Sequence, residues 1–381
     1  MGKILLGMSG GTDSSVAAIL LLEQGYEVVG ITFRFWEDGE NTHLKDAVLL
    51  AKQLGIEHIT YDARDVFKEK IVGYFVDEYL AGRTPFPCVK CNNELKWKLI
   101  LDEADRLGCE KVAMGHYVNI VEENNHYFVA EGNDPDKDQS FFLWGLTQTQ
   151  LSRIIFPLGQ FHKTEVRAMA AKRGFKKVSE KKDSLGACFC SGDYRPFLKK
   201  QLAEPDKFIF AGNFLDEEGK VLGRHDGFPL YTVGQRRGLM HLNRKVFVKE
   251  IRPIANEVVL APLENMYKTE FLIRDVNVVD KTLFTNEFNV FCRIRYRKQN
   301  TLSRVVFFEN GTAKVELAEP LESVAPGQTA VFYREGKVLG ELFGHYPLNR
   351  GFRLFFVDNI FRVAGIVDVM ETAAGDDDNR Q

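Results

Sequence analysis

No apolar stretch in the 381 residues approaches the roughly eighteen that a membrane-spanning helix needs, so no membrane role is expected. No charged and then apolar leader precedes the first strand pattern at Ile4 to Leu6. No signal peptide is therefore read, and a cytoplasmic location is the default. Charge of one sign is also lacking. There are 50 Lys and Arg against 53 Asp and Glu, a formal net charge of −3, so bulk charge announces no nucleic-acid partner. Cysteine is scarce: Cys88, Cys91, Cys109, Cys188, Cys190 and Cys292 cannot form a stabilising disulfide scaffold in a chain this large. Two phosphate-binding signatures are missing. No Lys follows the first glycine pair as a Walker A loop requires, and no G-x-G-x-x-G dinucleotide fingerprint opens the chain. What remains, 45% hydrophobic residues with mixed charge, is an ordinary globular composition, and the length suits two or three domains.

What is present begins with Gly7-Met8-Ser9-Gly10-Gly11-Thr12-Asp13-Ser14-Ser15, entered by an apolar run and left by a helical pattern from Val16 to Gln24. Adjacent glycines let the backbone turn sharply and approach a ligand. The helix that follows offers free N–H groups and the positive end of its dipole to an anion. Ser14 or Ser15 can cap that helix or bind a phosphate oxygen. The form S-G-G-x-D-S resembles the PP-loop of ATP pyrophosphatases, which expose the α-phosphate of ATP to attack while pyrophosphate leaves. A plain glycine-rich turn is the bland alternative, and the strand–turn–helix context favours the nucleotide.

The chain then reads as strand Tyr26 to Phe33, helix Thr42 to Leu54 and strand Ile56 to Tyr61. This order predicts a parallel sheet with helices on its faces and a ligand at the carboxyl ends of its strands. A helix is predicted over Val66 to Leu80. Pro85 and Pro87 argue against a helix around them, which places Cys88 and Cys91 in or beside an exposed loop before a helix over Asn93 to Leu107. A thiolate there would gain from the helix N-terminus. Lys111 to Met114 reads as a buried strand, Val118 to Glu131 as a hairpin and Lys163 to Arg173 as a helix. Residues 163–200 hold eleven Lys or Arg against four acidic residues, either a footprint for a phosphate backbone or a solvated helix face. From about Phe208 short strands separated by Gly and Asx turns predict a small β-domain followed by a β-barrel. In Phe291 to Arg297 the arginines alternate with Cys292, Ile294 and Tyr296, a pattern for tracking phosphates and stacking a base, or for a plain solvated strand face. Gly351 to Met370 reads as a final helix or strand pair, and Glu371 to Gln381 as a frayed tail.

A four-cysteine zinc or iron–sulfur site built on Cys88, Cys91, Cys188 and Cys190 would have an unusual spacing, and no metal site is assigned. Cys109 and Cys292 suit a core. Cys91 and Cys188 lie in polar, Gly- or Pro-punctuated stretches, which leaves thiol chemistry. ATP activation of an oxygen, sulfur nucleophiles and a basic, β-rich second half are together compatible with sulfur replacing oxygen on a nucleic-acid base.

At this point the chain closely resembles the MnmA-type tRNA 2-thiouridylases. The resemblance rests on Gly7–Ser15, Gly82-Arg83-Thr84-Pro85 with Cys91-Asn92, Gly115-His116-Tyr117, Lys137-Asp138-Gln139-Ser140, Lys182-Asp183-Ser184 with Gly186-Ala187-Cys188-Phe189, Gly234 to Leu239, Arg295-Tyr296-Arg297 and Pro326 to Tyr333. It implies an α/β fold: a parallel-sheet PP-loop domain of the adenine nucleotide α-hydrolase type over 1–200, a small β-rich domain over 205–268 and a β-barrel over 269–346, with 347–381 an extension outside the family pattern.

The resemblance also implies roles. Gly7, Met8, Ser9, Gly10, Gly11, Thr12, Asp13 and Ser14, with Phe33 and Gly115, would hold ATP with Mg²⁺. Cys188 would carry a persulfide and Cys91 would be its partner nucleophile, the pair closing to a disulfide as sulfur leaves; Asp13 would organise Mg²⁺ or the loop. Phe86, Pro87, Cys88, Lys137, Asp138 and Gln139 would lie at the target base. His116, Arg236, Arg237, Arg295, Tyr296 and Gln328 would hold tRNA. The implied substrates are the wobble uridines of the tRNAs for Lys, Glu and Gln, and the implied partner is a persulfide donor protein. The alternatives are another PP-loop ligase, which needs no cysteine persulfide, and a non-catalytic tRNA-binding protein. The chain departs from some relatives in having Cys88 where they have Asp, and in carrying Cys190 beside Cys188.

Overall fold

The computed structural model describes residues 2–36, 42–175, 186–190, 192–279, 281–285, 287–296, 300–343, 355–357 and 360–362. Lys182-Asp183-Ser184, Arg297 and the tail after 362 lie outside them.

The first half is built on a parallel sheet. Strands β1 (Lys3–Gly7), β2 (Glu27–Arg34), β3 (Glu57–Asp62), β4 (Lys111–Met114) and β7 (Ile154–Ile155) take the order β3-β2-β1-β4-β7. Helices α1 (Thr12–Glu23) and α2 (Thr42–Leu54) connect the first three strands. Ile4, Leu5 and Leu6 are wholly buried, as a strand covered on both faces must be. The chain runs outward from β1 to β3, then returns to β4 on the other side of β1. That reversal opens a crevice at the carboxyl ends of β1 and β4, so the fold itself selects the place for a ligand.

Two helical runs carry π turns. One passes from α3 (Arg64–Phe67) through a π segment Lys68–Val72 into α4 (Gly73–Leu80). The other passes from α5 (Pro87–Lys90) through a π segment Cys91–Lys96 into α6 (Trp97–Arg106). The expectation of a loop around Cys88 and Cys91 is thereby overturned. Pro87 begins the helix, where its missing N–H is no loss and its fixed φ is already helical.

The second half holds two further sheets. Strands β8 (Gly212–Leu215), β9 (Val221–His225), β10 (Phe247–Arg252) and β11 (Glu257–Ala261) form a four-stranded sheet in the order β10-β11-β8-β9. Strands β12 (Tyr267–Val278), β13 (Val290–Arg293), β14 (Thr301–Phe307), β15 (Ala313–Glu322), β16 (Thr329–Arg334) and β17 (Lys337–Phe343) follow in sequence. β12 pairs with both β15 and β17, which closes this sheet into a barrel. The hairpin β5 (Val118–Glu123) and β6 (His126–Glu131) forms as expected, but β6 pairs with β17 through Ala130 and Lys337. A hairpin from the first half thus extends the barrel's sheet. Phe355–Val357 and Ile360–Arg362 pair as a short antiparallel ladder. No helix among the described residues is long and apolar enough to cross a membrane.

Candidate active site

The glycine loop lies in the crevice. β1 ends at Gly7 and α1 starts at Thr12, with Gly11 as an N-cap that makes no side-chain capping bond. The first N–H groups of α1 are therefore not taken by a side-chain cap at that position. Gly10 has φ +66°, and a Cβ there would stand 2.7 Å from the Ala47 nitrogen, so only glycine fits. The backbone nitrogen of Ser9 donates to Ser14 Oγ at 3.2 Å, and Ser15 Oγ donates to the Gly11 carbonyl at 2.7 Å. Met8 is buried and tied to β2, its nitrogen donating to the Ile31 carbonyl at 2.7 Å. Gly115 completes the crevice from the end of β4, where a Cβ would stand 2.9 Å from the Asp13 carbonyl carbon. Phe33 is only 9% exposed, its ring stacked on Phe35 and edge-on to Tyr61.

Asp13 does not project freely. Lys163 Nζ lies 2.8 Å from each of its oxygens, and Tyr117 Oη donates to Oδ1 at 2.7 Å. Lys163 is 6% exposed and its own backbone nitrogen donates to Asp134 Oδ2 at 2.8 Å. The carboxylate therefore pins α1 to the helix that begins at Lys163 and to the strand end at Tyr117.

A group of thiols forms the second centre. All six cysteines are free. Cys88 and Cys91 lie on the run from α5 into its π segment. Cys91 is 7% exposed and shares a core cluster with Phe189, which brings the turn Ala187–Cys190 against the helix. Burial pushes the Cys91 thiol up to about 11; Lys96 pulls it back and Cys88 pushes it further. Cys188 is exposed as a residue, and the protein around its thiol still raises it, with Cys91 and Cys88 adding to the effect. The expected helix-stabilised thiolate is thus replaced by protonated thiols, because Cys91 is inside the helix and buried, not ahead of it in solvent. Cys109 and Cys292 are core residues.

Around these centres lie the remaining candidates. Phe86 packs on Phe141 and Phe142, and Tyr296 reaches the same Phe142 with ring centroids 4.7 Å apart. Pro87 is buried and Cys88 half-buried. His116 is 9% exposed beside Trp97 and Phe156, its Nδ1 has no partner, and burial lowers it to about 3, so it is neutral. Gln139 clasps Tyr117 twice, accepting from its nitrogen and donating to its carbonyl, both at 3.1 Å. Lys137 is half-buried beside it. Asp138 accepts from Gly132, from the nitrogen and hydroxyl of Ser140, and from Arg293 at 3.4 Å. Gln328 Nε2 donates to the Thr84 carbonyl at 2.9 Å, and Thr84 donates to the Pro326 carbonyl at 2.8 Å. A cavity of about 480 Å³ opens at that junction, lined by Thr84, Gly234, Gln235, Arg295 and Gln328 among others. Arg295 donates to the carbonyls of Glu322 and Ser323 there. Arg236 and Arg237 are exposed. Among the described residues the expected row of exposed arginines is broken at its start: β13 ends at Arg293, which is buried over the Tyr333 ring and paired with Glu131.

Three family models match the chain: a tRNA methyl transferase HUP domain over residues 2–192, a tRNA methyl transferase PRC-barrel domain over 195–262 and an aminomethyltransferase β-barrel domain over 268–341. The curated tRNA-specific 2-thiouridylase MnmA 1 of Bacteroides fragilis strain YCH46 is 52% identical over 348 residues, covering 89% of this chain and 96% of that protein. MnmA 2 of Phocaeicola vulgatus is 51% identical over 340 residues, with 89% and 96% covered. The chain belongs to the MnmA-type tRNA 2-thiouridylase family. A more distant family member, from Salinibacter ruber, is 40% identical over 356 residues, with 89% and 93% covered. A solved 4-thiouridine synthetase–RNA complex with bound ATP aligns at TM-score 0.35 and 18% identity, over 54% of this chain and 52% of that one, a likeness that carries no argument.

For a 2-thiouridylase-family chain, the residues that motif reading passed over are those that hold others in place. Lys163 and Tyr117 fix Asp13, Arg293 fixes Asp138, and Lys96 faces the thiols. Tyr117 stands inside a quoted motif. Lys163 and Arg293 carry no local signal, because their partners are 150 and 155 residues away in sequence, whereas Lys96 lies five residues from Cys91 and takes its place only through the turn of the helical run.

Proposed function

We propose that this chain is a tRNA-uridine 2-sulfurtransferase, using ATP to activate the O2 atom of the wobble uridine and a cysteine persulfide to replace it. The observation that carries the reading is a cradle fit for phosphate at the end of a parallel strand and a group of three thiols, Cys88 and Cys91 on one helical run and Cys188 on the turn packed against it. A PP-loop ligase has no use for such thiols.

The nucleotide fits the crevice. The glycine-only turn, the α1 N-terminus without a side-chain cap and the close approach of Gly115 make a cradle that side chains would fill. Gly7 to Ser14 would hold the phosphates, with Phe33 and Gly115 beside the nucleoside. Asp13 has both oxygens engaged by Lys163 and Tyr117. No group of three His, Cys, Asp or Glu among the described residues is arranged to hold a metal ion. Mg²⁺ would then be held chiefly by ATP phosphates and water, as is common for this ion, and Asp13 would shape the loop.

Attack of the uridine oxygen on the α-phosphate would turn a poor leaving group into AMP. The loop N–H groups would stabilise the negative charge that grows there. Cys188, exposed, is the thiol a donor protein can reach. Cys91, buried, would release the sulfur by forming a disulfide with Cys188. Thiols held protonated resist wasteful oxidation. Phe86, Pro87, Cys88 and Lys137 would flank a flipped-out base, while Asp138, Gln139 and neutral His116 support the wall behind it. Arg236, Arg237, Arg295, Tyr296 and Gln328 would meet the tRNA, each on the second half of the chain, divided at 205–268 and 269–346 from the catalytic part at 1–200. Lysine, glutamate and glutamine tRNAs are the expected substrates.

The test is mass spectrometry of tRNA nucleosides after incubation with ATP, Mg²⁺ and a persulfide donor. Wild type should yield 2-thiouridine and Cys188→Ser none. Pyrophosphate release without thiolated uridine would leave only the PP-loop reading.

A further inference from the structure

Lys96 belongs to no motif function, yet it occupies a particular place. Between two α segments, Cys91–Lys96 is a π turn. In an α-helix residues five apart point about 140° away from each other. A π turn, bonding i to i+5, carries the fifth residue round toward the first. Lys96 is thereby turned toward the side of the run that holds Cys91 and Asn92. Its Nζ donates to Asn92 Oδ1 at 3.1 Å, and Asn92 Nδ2 donates to the Cys88 carbonyl at 2.8 Å, so the ammonium is tethered to the cysteine end of the run. Lys90 and Lys98 on the same run are each paired with a carboxylate, Glu94 and Asp102. Among the described residues no carboxylate pairs with Lys96. The titratable groups its charge reaches are Cys88 and Cys91 on its own run, Cys188 on the turn packed against it, and His116 beyond β4. His116 stays neutral, so the four contribute no competing cation.

We propose that Lys96 is the positioning cation of sulfur transfer, placed by the π turn to stabilise the anionic sulfur formed at Cys91. The proposal rests on reading this centre as the sulfurtransferase site. In the step it serves, the Cys91 thiol gives its proton to water. The thiolate lone pair forms a bond to the inner sulfur of the Cys188 persulfide, and the persulfide S–S bond breaks. Hydrosulfide leaves for C2 of the activated base. The Cys91 sulfur is oxidised by one unit, the departing sulfur is reduced by one, and a dithiol reductant later cleaves the resulting disulfide. The Lys96 charge acts on Cys91, which carries the charge before the step, and on Cys188, from which the charged sulfur departs.

The test measures the rate of Cys91 alkylation by iodoacetamide against pH in the full-length protein, read on the Cys91 peptide, for wild type, Lys96→Met, Lys96→Gln and Lys96→Arg. Each one-unit rise in the thiol pKa lowers the thiolate fraction about tenfold at fixed pH. Lys96→Met and Lys96→Gln should slow alkylation at pH 8 by about tenfold and move the profile upward, with Lys96→Arg restoring most of the rate. Single-turnover thiolation should fall in the same order. A folded Lys96→Met or Lys96→Gln protein with the wild-type alkylation profile overturns the proposal. The alkylation profile needs neither tRNA nor ATP. A failure of thiolation in wild type would sink the sulfurtransferase reading separately, and an unchanged profile with active wild type would sink Lys96 alone.

Discussion

The two candidate anion-handling centres of this molecule are built on opposite principles. The nucleotide loop offers backbone N–H groups at a helix terminus and keeps its one acid, Asp13, locked against Lys163 and Tyr117. It is charged, braced and ready at rest. The thiol centre buries Cys91, keeps it protonated and sets the Lys96 charge within reach of it. It is uncharged at rest. The difference teaches that a phosphate already carries its charge into the site, so the protein need only be preorganised. A sulfur nucleophile must acquire its charge at the moment of reaction, so the protein is arranged to withhold it until then.

The comparison can be broken most sharply at Cys188. Cys188→Ser should abolish 2-thiouridine while ATP-dependent pyrophosphate release persists; loss of both would mean the centres are not separable. Gly10→Ala should do the reverse, cutting pyrophosphate release by about 100-fold through a displaced loop, with Cys91 alkylation unchanged. Arg293→Met tests whether the barrel braces the catalytic half. Removing a buried charge partner from Glu131 and Asp138 should cost about 3 kcal/mol of stability, read as a lowered midpoint in denaturant.

Next in size is the pH behaviour. The Cys91 thiol is raised, so the folded chain keeps a proton that the unfolded chain loses above about pH 8.5. Stability from this group is full below that value and declines as pH rises through about 11. Alkylation of Cys91 should climb over the same window. A plateau near pH 8 would show that the thiol is not withheld. The smallest effect is expected on the exposed Arg236 and Arg237. Alanine at either should weaken tRNA binding modestly and reduce the slope of log affinity against log salt by about 1.

The nucleotide half was legible in sequence because its determinants are contiguous. Gly7 to Ser15 carries strand end, turn and helix start in nine residues, and local backbone rules suffice to read them. The helix Thr42–Leu54 and the hairpin around Asn124 and Asn125 were readable for the same reason. The thiol half was misread where it depended on burial. Pro85 and Pro87 suggested a loop, while Pro87 starts a helix and Cys91 faces a core supplied by Phe189, nearly a hundred residues on. Arg293 looked like one of three solvent-facing arginines until Glu131 and Asp138 arrived from another part of the chain.

By itself the sequence determined the parallel sheet, the glycine turn at the end of its first strand, the β-rich second half and which cysteines are candidates for thiol chemistry. These follow from hydrophobic period, glycine placement and residue type, all of them local. Only the tertiary structure decided which carboxylates are free, which thiols are charged and how the barrel is fastened to the catalytic half through β6 and β17. Those properties depend on distance and desolvation, and groups far apart in sequence set both.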